Sequence, residues 1–157
     1  MSKCGYSAMT GAAVGLVAAT SKVILGLKGH ANFGLDLIKA RIGYDGVTAS
    51  AIPVLVELCY ITWATQPPGT LSTTVTPVQT YGRVTAVGAT AARDWSTTQP
   101  TVVTPIDEIL LDPDKGLLVY DFPLGTSPDS AVAEGFGYRC TAPAAVNVRG
   151  TFHFERA

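Results

Sequence analysis

Hydrophobic and polar positions alternate most cleanly at the end of the chain. From Ala145 to Phe154, Val146, Val148, Phe152 and Phe154 alternate with Asn147, Arg149, Thr151 and His153. This period of two marks a strand with one dry and one wet face. Ile38, Ala40, Ile42 and Tyr44 alternate in the same way with Lys39, Arg41 and Gly43. Pro53 to Trp63 is apolar on both faces except at Glu57 and Thr62, so it predicts a strand covered on both sides. Further strands are expected at Lys22–Lys28, Tyr81–Val87, Thr101–Leu111, Leu117–Phe122 and Val132–Thr141. In the last of these, Phe136, Tyr138 and Cys140 share one face and Arg139 takes the other.

Turn chemistry separates the strands. Asp45-Gly46 opens a small-residue loop that runs to Ser50, and Pro67-Pro68-Gly69 interrupts a Thr-rich excursion. Residues 88–101, around Trp95, read as a second irregular stretch. Asp112 to Gly116 reads as a tight turn that folds Leu117–Phe122 back on Thr101–Leu111 as a hairpin. Pro105 makes the latter strand an edge strand or a bent one. No long window carries the three-and-four spacing of a helix. About eight antiparallel strands with corner loops predict an all-β, two-sheet, jelly-roll-like sandwich. The Cys-Trp-Cys hallmark of the immunoglobulin alternative is missing, because Trp63 follows Cys59 by only four residues.

The first 20 residues differ from the rest in being small, apolar and rich in Ala and Gly. Gly15 interrupts their apolar run, and the run is too short to span a bilayer. The expected organisation is an extended N-terminal arm over residues 1–20 and a single β-sandwich domain over 21–157. The arm either reaches a neighbouring subunit or folds back on its own domain, and the first reading is preferred.

Composition changes the picture in one respect. Of 157 residues, 47% are hydrophobic and only 15% charged, with a formal net charge of −1. No basic stripe offers a footprint for nucleic acid. Such sparse charge suits a protein held in an assembly as well as a small β-domain coated in Thr and Ser.

Candidate chemistry is thin. Cys4, Cys59 and Cys140 are widely spaced and form no C-x-x-C pair. They read as buried free thiols, with a Cys59–Cys140 bridge open if their strands are neighbours. His30 and His153 read as surface residues. Asp107-Glu108 and Asp112-x-Asp114 supply too few oxygens for calcium. No nucleophile elbow or phosphate-binding glycine motif occurs. The expectation is a non-enzyme without metal or cofactor. Trp95, beside Arg93 and Asp94, is the one large aromatic expected near the surface, where it would anchor an interface or stack on a sugar.

Four segments, DGVTASAIPVLVELCYITWA (45–64), TVTPVQTYGRVTAVGATAARDWSTTQPT (74–101), GLLVYDFPLG (116–125) and GYRCTAPAAVNVRGTFHFE (137–155), carry a resemblance. They are similar to small virion-associated proteins of tailed bacteriophages and prophages. The resemblance implies a jelly-roll decoration or cement protein on the outer capsid surface, made in the host cytoplasm. It implies the major capsid protein as partner and a homotrimer; the missing basic stripe and the short apolar run add the expectation of no nucleic-acid or membrane partner. The arm would supply Tyr6, Met9, Leu16 and Val17 to the interface, and the loops would supply Arg93 and Trp95. A carbohydrate- or receptor-binding module of a tail or head fibre, using Trp95, is the alternative.

Overall fold

A computed structural model describes residues 4–45, 52–114 and 116–157. The loop expected at Asp45–Ser50 therefore lies largely outside the described residues, as does one position of the 112–116 turn. Among the described residues there are twelve strands and no helix, and two antiparallel sheets pack as a sandwich.

Sheet I contains β1 (Gly5–Met9), β2 (Val14–Leu16), β4 (Leu35–Asp45), β7 (Val78–Tyr81), β10 (Leu117–Asp121) and β12 (Val146–Arg156), in the order β10-β4-β12-β1-β7. The short β2 also pairs with β12. Sheet II contains β3 (Ser21–Lys28), β5 (Val54–Ile61), β6 (Thr73–Val75), β8 (Thr90–Arg93), β9 (Val103–Leu111) and β11 (Gly135–Thr141), in the order β6-β8-β3-β11-β5-β9.

The alternation of β12 does what its pattern requires. Val148, Phe152 and Phe154 are buried between the sheets, while Asn147 and Arg149 are exposed. In β4 the alternation shifts at a bulge, where Ile38 is the extra residue opposite His153 and Phe154. Leu35 and Leu37 point inward before it, and Ala40 and Ile42 after it. The extra residue flips the face, as a slip of one must. Tyr138 stacks on Phe152 across the core with ring centroids 4.8 Å apart.

Four expectations are corrected. The segment 4–16 is not an extended arm in this chain. β1 pairs with β12 from Gly5↔Glu155 to Met9↔Thr151, and β2 pairs with its other end from Val14↔Val148 to Leu16↔Val146. Tyr6, Ala8, Val14 and Leu16 are thereby buried in the main core. The physical reason is their own alternation, which gives the segment a dry face that water would penalise. Strand β10 does not form a hairpin with β9, because the two lie in different sheets and the chain crosses the sandwich between them. The strand expected at Tyr81–Val87 falls earlier, at Val78–Tyr81, and a strand occupies Thr90–Arg93 inside the stretch read as irregular. Trp95, expected near the surface, is fully buried.

A second, smaller core explains Trp95. On the outer face of sheet II, Val23, Cys59, Ile61, Trp63, Ala92 and Trp95 form a cluster separate from the main core. The indoles of Trp63 and Trp95 stack with centroids 5.4 Å apart. They lie on Gly26, where a Cβ would come within 2.4 Å of Trp63, and Gly26 pairs with Gly137 and Ala92 on its two sides. Three small side chains in a row make a platform flat enough for two rings. Residues 62–72 and 94–102 close over it. Trp63 Nε1 donates to the Leu27 carbonyl at 3.1 Å, and Trp95 Nε1 to the Gln66 carbonyl at 2.9 Å. Trp63, Gln66, Leu71 and Asp94 all adopt left-handed φ in this lid, a cost sustained by the packing beneath. The Cys59–Trp63 end of the doubly apolar strand Pro53–Trp63 is therefore covered on its outer side by the chain's own loops.

Candidate interaction surface

The six residues expected at an interface do not converge. Tyr6 is buried, stacked on Phe154 at 5.6 Å, with its hydroxyl donating to the Thr85 carbonyl at 3.1 Å. Leu16 is buried in the same core at the other end of β12. Trp95 is sealed under its lid. Arg93 is half-buried and donates from Nη1 to the Thr10 carbonyl at 2.6 Å, tying the N-terminal segment to β8. Asp94 pairs with Lys22. Met9 and Val17 are the two exposed members, on the outer end of β1 and just beyond β2. A sugar site built on Trp95, Arg93 and Asp94 has lost its stacking surface.

Chemistry-bearing side chains are dispersed. Cys59 and Cys140 are free thiols on neighbouring strands. They face opposite sides of sheet II, Cys59 toward the Trp63–Trp95 cluster and Cys140 into the main core. They therefore cannot bridge. Burial pushes the Cys59 thiol up to about 12 and raises Cys140 as well, so both are protonated and weak nucleophiles at neutral pH. His30 sits in an exposed turn, stacked on Phe33 at 5.2 Å. His153 lies on the other strand face, 3.2 Å from Arg41. Among the described residues no group of three or more His, Cys, Asp and Glu is placed to hold a metal. No helix there is long and apolar enough to cross a membrane.

The best-formed polar contact is Glu57 with Arg139. The two are directly opposite on β5 and β11. Arg139 donates from Nε at 2.6 Å and Nη2 at 2.8 Å to the two carboxylate oxygens. These hydrogen bonds raise the Arg139 pKa further. The pair satisfies a buried carboxylate on the outer face of sheet II. Its role is structural.

What the surface does show is apolar side chains concentrated on one side of the sandwich. Strands β9 and β10 are the free edges of sheets II and I. They lie on the same side, because the Tyr44 hydroxyl of β4 donates to the Leu111 carbonyl of β9 at 3.2 Å. Burial, and then the nearby Asp107 carboxylate of β9, raise the pKa of the Tyr120 hydroxyl of β10. Along these strands Ile106, Ile109, Leu110, Leu117 and Val119 are exposed, Leu110 on the outer face of sheet II and Leu117 and Val119 on the outer face of sheet I. They make up a third of the large exposed hydrophobics of the described residues. At one end, Leu110 joins Ile52, Pro53, Leu55 and Pro143 around an open, almost wholly apolar depression of about 470 Å³. Part of the edge is protected: Pro105 cannot donate, Ile106 is the extra residue of a bulge, and Asp107 and Glu108 carry charge. The Ile109–Leu111 end has none of these devices. The 112–116 turn residues, which suggest a hairpin of these two strands, conceal this surface in the sequence.

Comparison with protein-family models, with curated proteins and with solved structures found no match.

Proposed function

We propose that this chain is a non-enzymatic structural protein of a virion. In this reading it decorates and stabilises the outer surface of a tailed-phage capsid. Its partner is the major capsid protein, and its assembled form is a homotrimer. The observation that carries a docking role is the concentration of exposed aliphatic side chains along the two free edges, β9 and β10. A free strand edge with exposed aliphatic side chains is a ready template for another chain, and repetition over a shell multiplies weak contacts by avidity. The attachment to a virion rests on the resemblance of segments 45–64, 74–101, 116–125 and 137–155.

Docking moves from the first 20 residues to the β9–β10 side, because Tyr6 and Leu16 are committed to the core. The test is co-sedimentation with undecorated particles. Wild-type protein is expected in the pellet. Leu110→Asp places a charge in the patch and is expected to weaken binding by about tenfold or more. Its melting temperature should be unchanged, since Leu110 is 66% exposed. Val84→Asp, at a fully exposed position between β7 and β8, is the control and should bind as wild type. Wild-type protein left in the supernatant would overturn the reading.

A further inference from the structure

Toward β10 the outer face of sheet I is open, and its side chains form two rows set by the strand register. Val119, Arg41, Thr151 and Met9 lie side by side in one row, and Leu117, Gly43 and Arg149 in the next. Gly43 leaves a gap in the second row, where an added Cβ would meet nothing closer than Leu117 Cδ1 at 3.7 Å. The result is a groove of about 340 Å³. Its walls are the half-exposed Met9 and the largely exposed Leu117, and the two arginines lie along it.

The charges in and beside this groove do not balance. Arg149 is paired with Asp45 and also donates to the Gly11 carbonyl at 3.4 Å. Lys39 pairs with Asp121 at 3.0 Å. Arg41 has no carboxylate among the described residues, and its side-chain contact is His153, with Nη2 3.2 Å from Nε2. Burial, then Arg41, then Lys39 lower the His153 pKa against the opposing pull of Asp121. The imidazole is thus neutral at neutral pH and accepts from Arg41 without cancelling its charge. A planar guanidinium carries five donors and matches a carboxylate in bidentate fashion. Three cations therefore face two carboxylates on a chain whose formal charge is −1.

We propose that this groove binds an acidic, extended segment of a partner protein, with a Glu or Asp carboxylate on Arg41 and an adjacent apolar side chain against Leu117 and Met9. The apolar walls distinguish this occupant from a simple inorganic anion, which would gain nothing from them. The inference needs only a protein partner and does not rest on the virion reading.

The test is fluorescence anisotropy with a labelled hexapeptide that alternates glutamate and leucine, and with its glutamine counterpart. The glutamate peptide is expected to bind the wild-type chain, and the glutamine peptide at least about tenfold more weakly. Arg41→Gln should lose the glutamate peptide by a similar factor at unchanged melting temperature, since Arg41 is exposed. Leu117→Ser should weaken it several-fold. Equal binding of the two peptides, no binding of either, or Arg41→Gln at wild-type affinity would overturn the proposal. Displacement by low-millimolar inorganic phosphate, with Leu117→Ser binding as wild type, would overturn it in favour of a simple anion site.

Discussion

Deletion of residues 1–20 is expected to abolish the cooperative unfolding transition of the domain. Strand β1 lies between β12 and β7, so its removal strips one side of β12 and leaves β7 without its partner. It also empties the positions of Tyr6, Ala8, Val14 and Leu16, all buried in the main core. Burial of Val14 and Leu16 contributes about 1.5–3 kcal/mol each, and Tyr6 a comparable amount. Their sum approaches the roughly 5–15 kcal/mol that a whole domain has in hand. Urea unfolding of residues 21–157, followed by circular dichroism, should show no sharp transition. A stable, cooperative fragment would mean that the segment is a separable arm after all.

Trp95→Ala is expected to destabilise the fold by about 3–5 kcal/mol, the usual range for truncating a buried large aromatic. The loss has three parts. The stack on Trp63 disappears, the hydrogen bond to the Gln66 carbonyl goes with it, and a cavity opens above Gly26. The lid also holds four residues in left-handed backbone, which the remaining contacts would have to sustain alone. Near-UV circular dichroism should lose the signal of the coupled indoles, and the urea midpoint should fall. Stability equal to wild type would show that Trp95 is not sealed in the cluster. This outcome is opposite in kind to that of an exposed sugar-stacking tryptophan, whose truncation leaves the fold intact.

Where large apolar side chains alternate along a strand, the pattern was sufficient to place it. β11 and β12 show this directly, since Phe136, Tyr138 and Cys140 are buried and Arg139 lies on the other face, as their alternation requires. Partner choice was not legible. Turn residues 112–116 suggest a hairpin, yet crossing to the other sheet lets Tyr120 and Leu118 pack against the core from β10 while β9 keeps its place beside β5. The short strands β6 and β8 carry three or four residues each, too few for a period to register. Segment 4–16 was misread because its small residues resemble a low-complexity arm. Its alternation of Tyr6 and Ala8 with Ser7, and of Val14 and Leu16 with Gly15, was the available signal.

The Trp95 site was hidden for a different reason. Its platform is made of residues with almost no side chain, Gly26, Ala92 and Gly137, brought side by side only by pairing of β3 with β8 and β11. The glycines between large apolar neighbours in Leu25-Gly26-Leu27 and Phe136-Gly137-Tyr138 were the trace of it. Of the charged groove, the wet face of β4 was legible through Lys39, Arg41 and Gly43. That Arg41 would meet a neutral His153 rather than a carboxylate depends on the register of β4 against β12.

The proposed function places contact with a capsid shell on the β9–β10 side. Amide hydrogen exchange, compared between the free protein and the protein bound to undecorated particles, tests it most directly. The account predicts slowed exchange concentrated in residues 103–121, with residues 73–89 on the opposite side unchanged. Slowing confined to 73–89, or to the 62–72 and 94–102 lid, with 103–121 unaffected, would contradict it.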